Sequence, residues 1–162
     1  MYLRWERLPM QYSSISATAL FSGEQTSLSE AVTSIHPPYV LTIDDDKAIV
    51  DVIQSLLEAE GYNGFGISDS LKVLSFLNSL RDNLLPSVIL LDLMMPGLSG
   101  YEIAHILSQN ERYKHIPIII MTADSRIQSF NDIQGATGLV AKPFRLDPLL
   151  AKLKAHLGPP NL

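Results

Sequence analysis

From Tyr39 onward, short apolar runs alternate with amphipathic stretches, and this alternation narrows the possible folds more than any other feature of the chain. The strong runs are Tyr39-Val40-Leu41-Thr42-Ile43, Val88-Ile89-Leu90-Leu91 and Ile118-Ile119-Ile120-Met121. Weaker ones are Tyr62 to Ile67 and Gly138-Leu139-Val140-Ala141. Short runs rich in β-branched residues are what strands buried on both faces of a parallel sheet require. The stretches between them carry helical spacing: Ile49, Val52, Ile53 and Leu56; then Leu71, Leu74, Leu77 and Leu80; then Ile103, Ile106 and Leu107; then Ile127, Phe130 and Ile133. Gly61 is placed to end the first helix in a left-handed cap. Asp147-Pro148 reads as an N-cap and first-turn proline opening a last helix with Leu150, Leu153 and Leu157 inward. Five strands alternating with five helices, joined by right-handed crossovers, predict an α/β fold. It is a doubly wound five-stranded parallel sheet of order 2-1-3-4-5, a flavodoxin-like three-layer sandwich.

Residues 1–38 have no such periodicity and read as a flexible N-terminal extension, with Pro37-Pro38 marking its boundary. The cluster from Ile15 to Phe21 is too short and too polar for a secretory signal. Trp5, the single tryptophan, lies in the same segment. The domain proper is expected over 39–158, with 159–162 as a tail. No apolar run approaches the roughly 20 residues of a membrane span, so no membrane contact and a cytoplasmic location are expected. The chain has no cysteine, which excludes a disulfide framework, a thiolate zinc site and a cysteine nucleophile. Lys and Arg number 12 against 17 Asp and Glu, a net charge of −5. That balance predicts no direct nucleic-acid binding, because grip on a phosphate backbone needs clustered positive charge. The chain also ends soon after the last helix, so no DNA-binding or enzymatic output domain is expected.

In a sheet of this kind ligands sit beyond the carboxyl ends of the strands. The residues that follow the apolar runs there are Asp44, Asp45 and Asp46, then Asp92, Thr122 and Lys142. Several carboxylates at one edge repel each other unless a cation sits among them. Hard oxygen donors without histidine or cysteine nearby favour Mg²⁺. A metal beside an ammonium and a hydroxyl suits a phosphoryl group, and a carboxylate can itself accept phosphate. Any one of these residues alone could be a cap, a turn or a solvated charge; their placement after four separate runs is what makes the edge a phosphoryl site. The four histidines, His36, His105, His115 and His156, do not cluster and are expected to be structural or superficial.

The segments Leu41-Thr42-Ile43-Asp44-Asp45-Asp46, Ile89 through Asp92-Leu93-Met94-Met95-Pro96-Gly97 to Gly100, Met121-Thr122-Ala123 and Ala141-Lys142-Pro143-Phe144 resemble the receiver domain of two-component response regulators, in order and spacing. The resemblance implies that Asp92 is the phosphoacceptor, taking its phosphoryl group from a histidine kinase or phosphotransfer protein. It implies Asp45 as a direct Mg²⁺ ligand, Asp44 acting through a metal-bound water, and Met94 supplying a backbone carbonyl to the metal. Thr122 corresponds to the hydroxyl that moves toward the phosphoryl group, and Lys142 to the phosphate-binding lysine, whose bond to Pro143 is often cis in the family. Asp46 receives no direct role. The chain departs from the family at the switch position, where Leu139 stands in place of the usual Tyr or Phe, without a ring or hydroxyl to rotate.

The leading expectation is therefore a phosphoaccepting switch that acts by protein contact on a downstream target. It is a catalyst only of its own phosphorylation and dephosphorylation. One competing reading is a receiver fold used as a phosphorylation-independent docking module. Another is a haloacid-dehalogenase-type phosphatase, since Asp44-x-Asp46, Thr122 and Lys142 imitate its nucleophile, hydroxyl and lysine. That family's second acidic pair is missing after Lys142, and Asp92 would go unexplained.

Overall fold

A computed structural model describes residues 36–160. The expectations for the extension, including Trp5 and the Ile15 to Phe21 cluster, fall mainly outside that range. Five parallel strands, β1 (Tyr39–Ile43), β2 (Asn63–Ile67), β3 (Val88–Asp92), β4 (Ile118–Thr122) and β5 (Gly138–Ala141), form one sheet of order β2-β1-β3-β4-β5. The expected topology is therefore the one observed. Alternation along each strand divides the core in two. In β1, Tyr39, Leu41 and Ile43 point into one cluster and Val40 into the other. The first cluster lies under α2 (Val73–Ser79) and α3 (Gly100–Gln109), and the second under α1 (Lys47–Ala59) and α4 (Leu146–Leu157).

Four helices stand where five were expected among the described residues. The stretch carrying Ile127, Phe130 and Ile133 forms only a 3₁₀ turn, Phe130–Asp132. Local side chains there take the backbone donors a helix would need: Asp124 accepts from the Arg126 amide and Ser129 from the Asn131 amide. Gly135, at φ +88°, turns the chain back toward β5. Ile133 is buried all the same, with Ile127 and Ala136 packed beside it, so this irregular segment covers its part of the sheet.

The predicted faces need rotation in three helices. In α1 the buried residues are Val50, Ile53 and Leu57, while Val52 faces solvent and Ile49 and Leu56 lie at the margin. The contact line is set by β2, where a Cβ on Gly66 would lie 2.1 Å from Val50 Cγ1 and one on Gly64 would lie 2.9 Å from Leu57 Cδ1. Leu71 belongs to a 3₁₀ turn, Ser70–Lys72, and is 70% exposed, and Leu74 is only partly buried; Leu77 and Leu80 are buried as expected, joined by Val73 and Phe76. In α3, Ile106 is exposed and Ala104 joins Ile103 and Leu107 in the core. Asp147 is not the cap of α4, which starts at Leu146 after Arg145, so Asp147 and Pro148 lie inside the first turn. Leu150, Leu153 and Leu157 point inward as expected, joined by Leu149. Gly61 does follow α1 with φ +76°. Lys154 pairs with Glu60 at 3.0 Å and lies over the Tyr62 ring. No described helix is long and apolar enough to cross a membrane.

Candidate functional site

Because β1, β3, β4 and β5 are consecutive in the sheet, the residues at their carboxyl ends meet along one edge. Asp44 and Asp45 follow β1, Asp92 ends β3, Thr122 ends β4 and Lys142 follows β5. One carboxylate oxygen from each of Asp44, Asp45 and Asp92 lies within 4.8 Å of the others. Asp44 is fully buried, Asp92 is 5% exposed and Asp45 is open to solvent. The cluster is thus reached from one side.

Lys142 bridges the two buried carboxylates, its Nζ donating to Asp44 Oδ2 at 2.6 Å and to Asp92 Oδ1 at 3.1 Å. Its backbone is held by a 2.7 Å bond from its N–H to Thr122 O, and the following peptide bond to Pro143 is cis. Asp44 Oδ1 also accepts from the Asp46 amide at 3.0 Å. Burial pushes the Asp92 carboxyl above the ordinary carboxylate range, and the charges of Asp44 and Asp45 add to that, against the hydrogen bond from Lys142. Burial works against the Lys142 ammonium, but hydrogen bonds to Asp44 and Asp92 outweigh it and raise its pKa. Three carboxylates against one ammonium leave a formal charge near −2. That donor set, all oxygen and open on the Asp45 side, fits a hard divalent cation such as Mg²⁺.

Thr122 is buried, and its Oγ1 accepts from the Asp124 amide at 3.0 Å, which leaves its O–H as a donor. Met94 sits two residues past Asp92 with its side chain 70% exposed, between the buried Leu93 and Met95. Leu139 lies half-buried on β5 against the α2–α3 core, so no aromatic ring occupies the switch position. Asp46 stays out of the cluster: its carboxylate caps α1 by accepting from the Ala48 amide at 2.9 Å. The dehalogenase reading needs the Asp46 carboxylate beside that of Asp44, and it is not among the three that gather. The histidines stay apart from the site; His105 Nδ1 instead meets Gln134 Oε1 at 2.9 Å.

Sequence reasoning missed two residues that shape this edge. Gly100 opens α3 so tightly against β3 that a Cβ there would lie 2.1 Å from Asp92 O. A legible signal existed, since Ser99-Gly100-Tyr101-Glu102 is a capping box, formed here in both directions. Ser70 is buried and hydrogen-bonds the loop after β3. Nothing local marks it, because its partners lie 26 and 28 residues away.

The family model of the response regulator receiver domain matches residues 40–154. The DNA-binding dual master transcriptional regulator RpaA of Synechocystis sp. is 36% identical over 124 residues, covering 74% of this chain and 49% of that protein. The DNA-binding response regulator MtrA of Mycobacterium tuberculosis is 30% identical over 120 residues, covering 73% of this chain and 50% of that protein. Among solved structures, the chemotaxis protein CheY4 of Vibrio cholerae superposes with a TM-score of 0.63 at 28% identity, covering 74% of this chain and 98% of that one. The chain thus spans about half the length of the curated relatives it matches.

These relatives correct the expectation of no direct nucleic-acid binding, since both regulators are named as DNA-binding. That expectation leaned on the acidic balance and on where the chain ends, and neither carries it. The acidity belongs in part to the carboxylates gathered at the sheet edge, and a receiver's charge does not report how a regulator reaches DNA. The matched family model, the sheet order and the acidic edge agree: the chain belongs to the response regulator receiver family, whose members serve phosphorylation-based two-component signalling.

Proposed function

We propose that this chain is a phosphoaccepting switch in which Asp92 receives a phosphoryl group from a histidine kinase or phosphotransfer protein. The observation that carries the reading is the seat of Asp92 at the meeting point of Asp44, Asp45 and the Lys142 ammonium. An Asp92 carboxylate oxygen attacks phosphorus, the donor's P–N bond breaks, and its electron pair returns to the imidazole nitrogen, which regains a proton. Mg²⁺, when bound by Asp45, Asp92 and the Met94 carbonyl and through water by Asp44, supplies charge neutralisation at the phosphoryl oxygens. Lys142 then leaves its bridge to Asp92 to pair with the new phosphoryl group, and the Thr122 hydroxyl donates to another of its oxygens. With Leu139 in the switch position, the shift at Thr122 is read out by aliphatic repacking instead of a rotating ring.

The proposed organisation is an extension over 1–38, the receiver over 39–158 and a tail over 159–162, acting in the cytoplasm. The receiver catalyses only its own phosphorylation and dephosphorylation. The names of the relatives extend the proposal to an output at DNA. The test is incubation with Mg²⁺ and a small acyl-phosphate donor, followed by separation of phosphorylated forms. We expect one phosphoryl group per chain and none in Asp92→Asn. Label that depends on Asp44 but survives Asp92→Asn would favour a phosphatase, and no label at all a docking module.

A further inference from the structure

The loop from Leu93 to Ser99 leaves the sheet edge, carries Met94 outward and returns as α3. Its two ends are tied by the Gly100 amide, which donates to Leu93 O at 3.0 Å. Its apex, Pro96-Gly97-Leu98, is held from a different element. Ser70, 3% exposed in the turn before α2, donates its hydroxyl to Pro96 O at 2.7 Å and accepts from the Leu98 amide at 2.9 Å. One hydroxyl thus uses its donor and an acceptor lone pair on the same turn. Gly97 adopts φ +82°, and a Cβ there would lie 3.0 Å from Ser70 Oγ, so the two segments are in close approach.

We propose that Ser70 is a positioning residue for the metal site. It holds the apex of the loop whose near limb sets the Asp92 carboxylate and the Met94 carbonyl. The inference rests on the Mg²⁺ reading given above. Ser70 touches neither the cluster nor a ligand; it acts through the peptide planes between Asp92 and Leu98. Without its hydroxyl, Pro96 O and Leu98 N–H lose their partner and the limb carrying Met94 is free to tilt. Supporting groups of this kind typically change metal affinity by about tenfold or more.

The test is calorimetric titration of Mg²⁺ into the full chain, its Ser70→Ala and Ser70→Gly variants, and Asp45→Asn as control. Each is first shown to be folded by circular dichroism. Ser70→Ala and Ser70→Gly should bind Mg²⁺ about tenfold more weakly. They should need correspondingly more Mg²⁺ for half-maximal phosphorylation by an acyl phosphate, and return to the wild-type rate when Mg²⁺ saturates. A purely structural role would lower the unfolding midpoint and leave the Mg²⁺ affinity alone, which overturns the inference. In the unmodified chain the Leu98 amide should exchange slowly and more slowly still with Mg²⁺; an exchange rate indifferent to Mg²⁺ overturns it without any variant. Failure of the unmodified chain to bind Mg²⁺ overturns the metal reading and this inference together. Binding by the unmodified chain that is lost in Asp45→Asn but unchanged in the Ser70 variants overturns this inference alone.

Discussion

Asp44 and Asp92 are tolerable as buried charges because Lys142 lies between them, at 2.6 and 3.1 Å, and because the cluster opens through Asp45. The carboxylates and the lysine were legible as residues that end strands; the bridge itself was not, since Lys142 is 98 residues from Asp44. Met94 illustrates the opposite case: the role proposed for it uses its backbone carbonyl, while the residue itself is exposed. A thioether cannot orient water as an amide can, so Met94→Asn should lose its phosphoryl group faster than wild type. Following decay of the phosphorylated forms after removal of the donor checks this. Tyr39 offers a prediction away from the site: it is buried, and its hydroxyl donates to Leu84 O at 3.0 Å. Tyr39→Phe should cost about 1 kcal/mol in denaturant unfolding. Burial raises the Tyr39 pKa above its ordinary value. Its contribution is therefore complete below the unfolded-state value of about 10 and is lost as pH rises beyond it. Tyr39→Phe should flatten the alkaline fall in stability.

At the scale of elements, helix faces are set by what they meet. The α1 stripe read from spacing was rotated because Gly64 and Gly66 let Val50 and Leu57 press onto β2, a fit that belongs to the partner strand. The missing fourth helix has the reverse cause: its apolar spacing was real, but Asp124 and Ser129 close local turns that compete with helical bonds. The junction of β3 and α3 is the least forgiving. Gly100→Ala gains up to about 1 kcal/mol of helix propensity, yet its Cβ would stand 2.1 Å from Asp92 O and 2.7 Å from Leu93 Cα, both backbone atoms. The clash should win, with a net loss of about 3 kcal/mol and slowed phosphorylation, since Asp92 sits on the displaced strand end. Unfolding midpoints and acyl-phosphate labelling measure the two effects.

At the scale of the whole molecule, the proposed metal site would couple cation binding to folding. The three carboxylates meet only when β1 and β3 are in register, so a cation that binds them would stabilise the native state alone. Mg²⁺ at a hundredfold excess over its dissociation constant should raise the unfolding free energy by about 2.7 kcal/mol. Chelation should reverse this, and Asp45→Asn should abolish it. Lys142→Ala leaves Asp44 and Asp92 buried without their counter-charge, so the metal-free variant should lose about 3 kcal/mol. Mg²⁺ should stabilise that variant more than it does the wild type. Thermal unfolding across a Mg²⁺ series separates these effects.

Strand identity, sheet order and the membership of the acidic edge were determined by the sequence alone. Short β-branched runs have one economical burial in a parallel sheet, and that sheet carries the residues after its strands to a common edge. Tertiary structure alone decided which helix faces pack and how Ser70 and the close approach at Gly100 constrain the loop beside Asp92. Those outcomes depend on distances between residues far apart in the chain, set to within an ångström by backbone contacts that no local pattern encodes. The DNA binding named for the relatives lay beyond both the composition and the described fold, because net charge describes a receiver and not the proteins in which receivers work.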